Sequence, residues 1–356
     1  MTTIPNILDH HALPQLLREN KCQIIDVRSP KEFDIDHIPT AINLPVLNND
    51  EHHEIGKEYI QESKPKAKRR AAALIARNIA DYLDHHPLFD NFKTPFLITC
   101  YRGGQRSQAF AHILKQIGYH VSILEGGYKS YRQQVQMAYN TPPLAKGLTV
   151  YGPSGTGKTR LLRTISQQEN IPFMDFEHYA NHRGSRFGGL GLNPRNQKNF
   201  ETHIWQFITQ LPEKNSHILV EGESRHVGKS LIPKPLFEWM TSHIKIWVEL
   251  PLELRAHNLV EDYFGSHPSQ DIIDGFIQIT QSLEEEKGQK FTKKIINKIQ
   301  QSQYIEAACV LLTELFDPLY NKCKINDPRD TIDITATSNQ ELENKLTQKI
   351  KELLSV

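Results

Sequence analysis

The sequence predicts an α/β protein built from two successive parallel-sheet units, each wound by helices, with a mainly helical C-terminal part. Two observations carry that class. Short apolar runs alternate with helical patterns, and the alternation stops at a proline-containing stretch, residues 140–147, before it begins again. In both halves an apolar run also leads into a glycine-rich turn and then a helix, so each expected site lies at the carboxyl end of a strand.

The elements follow in order. Residues 22–27 (CQIIDV) and 41–44 read as short strands, and residues 55–84 read as one long helical stretch. Residues 95–99 (PFLIT) form a third apolar run that delivers Cys100 at its end. Residues 106–117 read as a helix closed by Gly118, and residues 121–124 as a further strand. After the linker, strands are expected at 148–151, 171–175, 217–221 and 244–249, with a helix from about Lys158. Residues 292–313 and 339–354 carry helical periodicity. The expected division is therefore 1–139, a linker at 140–147, an α/β core at 148–250 and a helical extension at 251–356.

Composition narrows the class of function. With 38% hydrophobic and 23% charged residues the chain can bury ordinary cores. Its formal net charge of +1 means that any nucleic-acid surface must be a local patch. Cys22, Cys100, Cys309 and Cys323 lie far apart without CxxC pairing, so neither a zinc site nor a disulfide framework is indicated. That usage suits a reducing compartment. No signal-peptide pattern and no long apolar run is present, so the cytoplasm is the expected location and no membrane partner is expected.

The first chemical motif is Cys100-Tyr-Arg102-Gly103-Gly104-Gln-Arg106-Ser107, between a strand and a helix. Inward backbone N–H groups, the helix N-terminus and the two arginines all favour a thiolate and would hold an anion against it. A buried strand-end cysteine is the plainer explanation, but it does not account for two glycines and two arginines directly downstream. Five residues separate Cys100 from Arg106, a C-x5-R spacing also found in cysteine phosphatases.

The second motif is Gly152-Pro-Ser-Gly155-Thr-Gly157-Lys158-Thr159, a match to G-x-x-x-x-G-K-[ST] in the strand-to-helix context that it requires. Its backbone would cradle phosphates, Lys158 would meet the terminal phosphates and Thr159 would ligate Mg²⁺. Glu221 and Asp175, each at the end of an apolar run, are candidates to touch metal or substrate, though strand-end acids also serve as helix caps. No resident metal is certain and no tightly bound cofactor is expected. Residues 178–200 contain no acid but carry four glycines and several cations, among them Arg183 and Arg186; with Arg225 these are candidate RNA or anion contacts. Residues 64–70, with five positive charges in seven positions, form a second basic cluster that is as easily a solvated face.

Asp26-Val27-Arg28, Glu32-Phe33, the run from His37 to Pro45, the Cys100 loop and Glu125-Gly126-Gly127 resemble a rhodanese-like domain, with a loop longer than the common C-x-x-G-x-R. Together with the P-loop, Asp175-Phe-Glu177, Asn181-His182-Arg183-Gly184-Ser185, Phe187-Gly188 and Glu221-Gly-Glu223-Ser224-Arg225, the chain resembles the tRNA 2-selenouridine synthases. The resemblance implies a rhodanese-like sheet followed by a P-loop NTPase-like α/β domain. It also implies a transferase acting on the wobble 2-thiouridine of a tRNA anticodon loop. Geranyl diphosphate would alkylate the sulfur, and selenium from selenophosphate would then replace the S-geranyl group, with Cys100 catalytic and the P-loop on the diphosphate. A C-x5-R phosphatase or a sulfurtransferase joined to a nucleotide-binding domain is the competing reading.

Overall fold

A parallel strand buried on both faces needs an unbroken apolar sequence, and helices must cover both sides of its sheet. The computed structural model describes residues 5–141, 145–211, 217–222, 224–265, 267–318 and 331–355 and divides them into two units. The first comprises residues 1–139 and 198–210, and the second residues 140–197 and 211–356.

In the first unit, five strands run parallel in the order β1-β5-β4-β2-β3: β1 Asn6–Leu8, β2 Gln23–Asp26, β3 Ile42–Asn43, β4 Phe96–Thr99 and β5 Val121–Leu124. Central β4 is buried at all four positions. Its alternation splits it between two cores. Phe96 and Ile98 pack with Ile75 and Ile79 of helix α4 (Lys64–His85) and Phe110 and Leu114 of α5 (Gln105–Gln116). Leu97 packs with Leu13 of α1 (Leu13–Glu19) and with Tyr128, Tyr131 and Val135 of α6 (Gly127–Asn140). The helical stretch expected at 55–84 is two helices, α3 (Asn49–Gln61) and α4. The break falls where Ser63 caps α4 and Pro65 occupies its first turn, because proline has no N–H with which to continue the earlier helix. Strand β1 lies outside the expected elements.

A larger departure concerns residues 198–210. Expected inside the P-loop core, they belong to the first unit, as all but the first residue of α9 (Gln197–Gln210). The reason is a buried polar cluster. Asp36, fully buried after α2 (Pro30–Ile35), accepts from the Tyr128 hydroxyl at 2.8 Å, the Thr202 hydroxyl at 2.9 Å and the Arg132 guanidinium at 3.4 Å. Tyr131 donates to Thr202 at 2.9 Å, and Arg132 also pairs with Glu201. Trp205 seals the cluster edge-on against Tyr131.

The second unit repeats the parallel design in the order β12-β11-β6-β8-β7: β6 Lys146–Tyr151, β7 Phe173–Met174, β8 His217–Glu221, β11 Ile244–Glu249 and β12 Thr331–Thr335. A short antiparallel pair, β9 His226–Val227 and β10 Ser230–Leu231, lies apart from it. Helices α7 (Lys158–Glu169), α8 (Phe176–Ala180), α10 (Lys234–Thr241) and α11 (Leu252–Phe264) follow the strands, and α12 (Gln270–Ser282), α14 (Gln289–Gln300) and α15 (Tyr304–Leu311) build a separate apolar core around Phe276, Ile295 and Leu311. The C-terminal part is not wholly a helical extension. Edge strand β12 completes the sheet, and the last helix (Asn339–Leu354) puts Leu342, Leu346 and Ile350 into the core of the sheet. Residues 142–144 of the expected linker and Glu223 lie outside the described residues.

Because Thr202 donates to Asp36 and accepts from Tyr131 and, at 3.4 Å, from Arg132, Thr202→Val removes three buried hydrogen bonds while preserving shape. It is expected to destabilise the protein by about 1–3 kcal/mol. Urea unfolding should show a lowered midpoint with an unchanged slope.

Candidate functional site

Two sites are built on the ends of central strands, one in each unit. In the first, β4 ends at Thr99 and the chain turns through residues 100–104 into α5. Cys100 is buried, and its Sγ lies 3.2 Å from the Ser107 hydroxyl, which in turn donates to the Gly104 carbonyl at 3.1 Å. The loop is held by backbone. Tyr128 and Lys129 of α6 donate to the Cys100 and Tyr101 carbonyls at 2.8 and 2.9 Å. That approach leaves no room for a side chain at Gly127, where a Cβ would collide with the Cys100 carbonyl oxygen. Gly103 adopts φ +66°, and a Cβ there would lie 2.8 Å from the Leu124 carbonyl.

The two arginines of this loop differ in what they can do. Arg102 is exposed, above the Tyr101 ring. Arg106 instead forms an ion pair with Glu32, at 2.7 Å. Glu32 sits at the third position of α2, where it also accepts from the Ser29 N–H and hydroxyl. Burial works against the Glu32 charge, but Arg106 and the Ser29 N–H outweigh it and hold the carboxyl below its usual range. An anion in this cradle must therefore compete with Glu32 for Arg106. Of the other thiols, burial pushes Cys22 up to about 11 and raises Cys309 as well, so neither is a thiolate at neutral pH.

In the second unit β6 ends at Tyr151, and residues 152–157 wrap a turn into α7. Gly152 and Gly155 are needed for clearance, since a Cβ at either would strike a carbonyl oxygen, of Val248 and Arg255 respectively. Gly157 enters α7 at φ +71°. Lys158 folds back to donate to the Gly152 carbonyl at 2.9 Å and lies 3.9 Å from Glu221. Thr159 donates to Glu221 at 2.7 Å and lies 3.1 Å from a Glu177 oxygen. Burial raises the Glu221 carboxyl pKa, with Lys158 and Thr159 opposing that rise.

A cavity of about 370 Å³ opens on this loop, lined by Lys158, Thr159, Glu221, Glu177 and Arg183 among others. Not every expected residue reaches it. Asp175 caps α8 through the His178 N–H at 2.9 Å and pairs with Arg163 at 2.6 Å; of that pair only Arg163 lines the cavity. Arg186 pairs with Glu286 at 2.6 Å, and Arg225 donates to the Ile232 carbonyl at 3.1 Å, so neither lines the cavity. In the basic cluster of α4, Lys66 and Arg70 are engaged by Glu54, Glu58 and Glu62, while Lys68 and Arg69 are exposed.

Other contributors had no role in the sequence reading. Glu177, quoted there only within a motif, joins Glu221 at Thr159, and Asp262 and Tyr263 of α11 line the cavity. Also on α11, Asn258 donates to the Gly155 carbonyl at 2.8 Å, and Arg255, tied to Asp317 at 2.8 Å, reaches the Ser154 carbonyl at 3.3 Å. The helix therefore clamps the loop from outside. Its spacing to the motif, about 100 residues, carries no local signal. Among the described residues no helix is long and apolar enough to cross a membrane.

Two family models match the chain: a rhodanese-like domain over residues 9–134 and the tRNA 2-selenouridine synthase AAA domain over residues 145–353, more than half of its length. A tRNA 2-selenouridine synthase of Nitrosomonas europaea is 34% identical over 69% of this chain and 64% of its own length. One of Bdellovibrio bacteriovorus is 32% identical over 70% and 66%, and one of Shewanella woodyi 28% identical over 83% and 86%. The chain thus spans less than two thirds of the Nitrosomonas protein's length. With a cysteine loop on one parallel sheet and a phosphate loop on the next, in the family's order, the chain belongs to the tRNA 2-selenouridine synthase family.

Proposed function

We propose that the protein is a transferase that converts wobble 2-thiouridine in tRNA to 2-selenouridine by S-geranylation and then selenation. The observation that carries this reading is the pairing, in one chain, of a buried cysteine loop with a phosphate-loop cavity lined by Lys158, Arg160, Arg163 and Arg183. Four cations facing three carboxylates, Glu177, Glu221 and Asp262, suit a diphosphate bound together with a divalent cation.

In the first step the uridine sulfur forms a bond to the geranyl C1 as the C1–O bond breaks, and diphosphate leaves with the electron pair. Backbone N–H groups of residues 152–157 and Lys158 would stabilise that leaving charge. In the second step the selenium of selenophosphate adds at C2 and geranylthiol departs; water then attacks phosphorus, the P–Se bond breaks toward selenium, and phosphate is released. An alkylated sulfur leaves far more readily than sulfide would from a thiocarbonyl. Cys100 would position the selenium of selenophosphate without bonding to it, with Arg102 holding the phosphate moiety and Arg106 joining once Glu32 yields it. The wobble base is reachable because an anticodon loop is single-stranded.

A divalent cation such as Mg²⁺ suits the oxygen set of Thr159, Glu177 and Glu221. Bound there, it would neutralise charge on phosphate oxygens.

Mass spectrometry of nucleosides from 2-thiouridine tRNA, incubated with geranyl diphosphate and selenophosphate, tests the whole reading; finding neither geranylated nor selenated uridine would sink it. Lys158→Ala should slow geranylation by about 100- to 1,000-fold, the usual cost of losing one donor to a developing anion. Cys100→Ala should accumulate geranylated uridine without selenouridine. Full selenation in that variant would remove Cys100 from the chemistry.

A further inference from the structure

His182 follows α8 and lines the phosphate-loop cavity. Its imidazole is seated against bare backbone from two loops. A Cβ on Gly188 would come within 2.7 Å of the ring Cε1 and 2.9 Å of the Arg183 carbonyl carbon, and one on Gly228 within 2.6 Å of the ring Cδ2. A Cβ on Gly189 would lie 3.4 Å from the same Cδ2. Gly188 and Gly189 do not have positive φ, so left-handed backbone does not explain them. Space for the ring does.

The ring is also bonded unlike the chain's structural histidines. In His37, His203 and His243 the Nδ1 atom meets a carbonyl one helical turn back, at 2.9, 2.8 and 2.7 Å. Nδ1 of His182 is enclosed and has no partner, and the side chain makes no hydrogen bond among the described residues. Its Nε2 is not among the enclosed partnerless atoms, and the residue lines the cavity. A buried polar atom without a partner is costly, and packing alone would favour an apolar ring here. Burial and the neighbouring Arg183 disfavour the imidazolium. An enclosed N–H is rarer than an enclosed lone pair, which places the proton of the neutral ring on Nε2.

We infer that His182 is a ligand-binding residue of the cavity, in which Nε2–H donates a hydrogen bond to an oxygen of a bound diphosphate group. The inference rests on the reading of the cavity as a diphosphate site. A neutral donor among cations adds direction rather than charge, and so discriminates where the oxygens lie.

Calorimetric titration of the full chain with inorganic diphosphate provides the test, with His182→Ala, His182→Asn and His182→Gln compared. A glutamine amide reaches the position of Nε2, whereas an asparagine amide reaches only that of Nδ1. His182→Ala and His182→Asn are expected to weaken binding by about tenfold or more, and His182→Gln to stay within about threefold of the wild type. Should the alanine variant fail to fold, the asparagine–glutamine contrast decides. Equal affinities for those two would reduce His182 to packing and overturn the inference. If the wild-type chain binds no diphosphate, the reading of the cavity itself fails and takes the inference with it.

Discussion

Asp36 is a carboxylate with no access to water, and the first unit is organised around satisfying it. A buried charge is tolerated only when paired and fully hydrogen-bonded, and here the partners come from two helices far apart in sequence. Tyr128 and Arg132 on α6 supply two donors, and Thr202 on α9 supplies the third. The main-chain carbonyl of Asp36 also accepts from Arg28 at 2.8 Å, and Arg28 is locked onto Asp26 and stacked 3.8 Å from the Tyr128 ring. Removing α9 would leave a carboxylate, an arginine and a tyrosine hydroxyl short of partners in a dry interior. The chain therefore has to return to this unit after it has begun the next one.

The same cluster sets the cysteine site, because it fixes α6. The N-terminal residues of that helix grip the Cys100 loop by its carbonyls, so the position of the thiol follows from the packing of Tyr128 and Arg132 several ångströms away. The second unit solves an equivalent problem in another way. Its loop is gripped from outside by Asn258 and Arg255, and its interior charges neutralise one another through Lys158, Thr159 and Glu221. Both loops use glycine for the same reason, that two backbones approach where no Cβ fits.

What the sequence disclosed divides along the same line. Strand β4 with Cys100 and α5, and β6 with the glycine loop and α7, were legible because local pattern and local chemistry agree there. The break at Ser63 and Pro65 was written in the sequence but overridden by the high helix propensity around it. Non-local items stayed hidden. Nothing in residues 198–210 says that Thr202 faces a carboxylate 166 positions earlier, and nothing in 331–335 marks a lone edge strand after so many helices. Arg106 shows the limit most directly. Its spacing from Cys100 suggests an anion clamp, yet its partner is set by Glu32, 74 residues away.

That partnership distinguishes the two loops. In the phosphate loop glycines at 152 and 155 give the backbone clearance, while Lys158 rests on the Gly152 carbonyl near Glu221. In the cysteine loop the guanidinium is already neutralised, and Glu32 is held both by Arg106 and by its own helix cap. An incoming anion must detach Arg106 from Glu32, but the cap leaves Glu32 with donors of its own once Arg106 departs. The exchange is therefore between two satisfied arrangements rather than from a satisfied one to an unsatisfied one. If the Cys100 loop binds an anion as proposed, such an arrangement would keep its arginine from a passing phosphate while yielding it to an anion that also contacts the thiol.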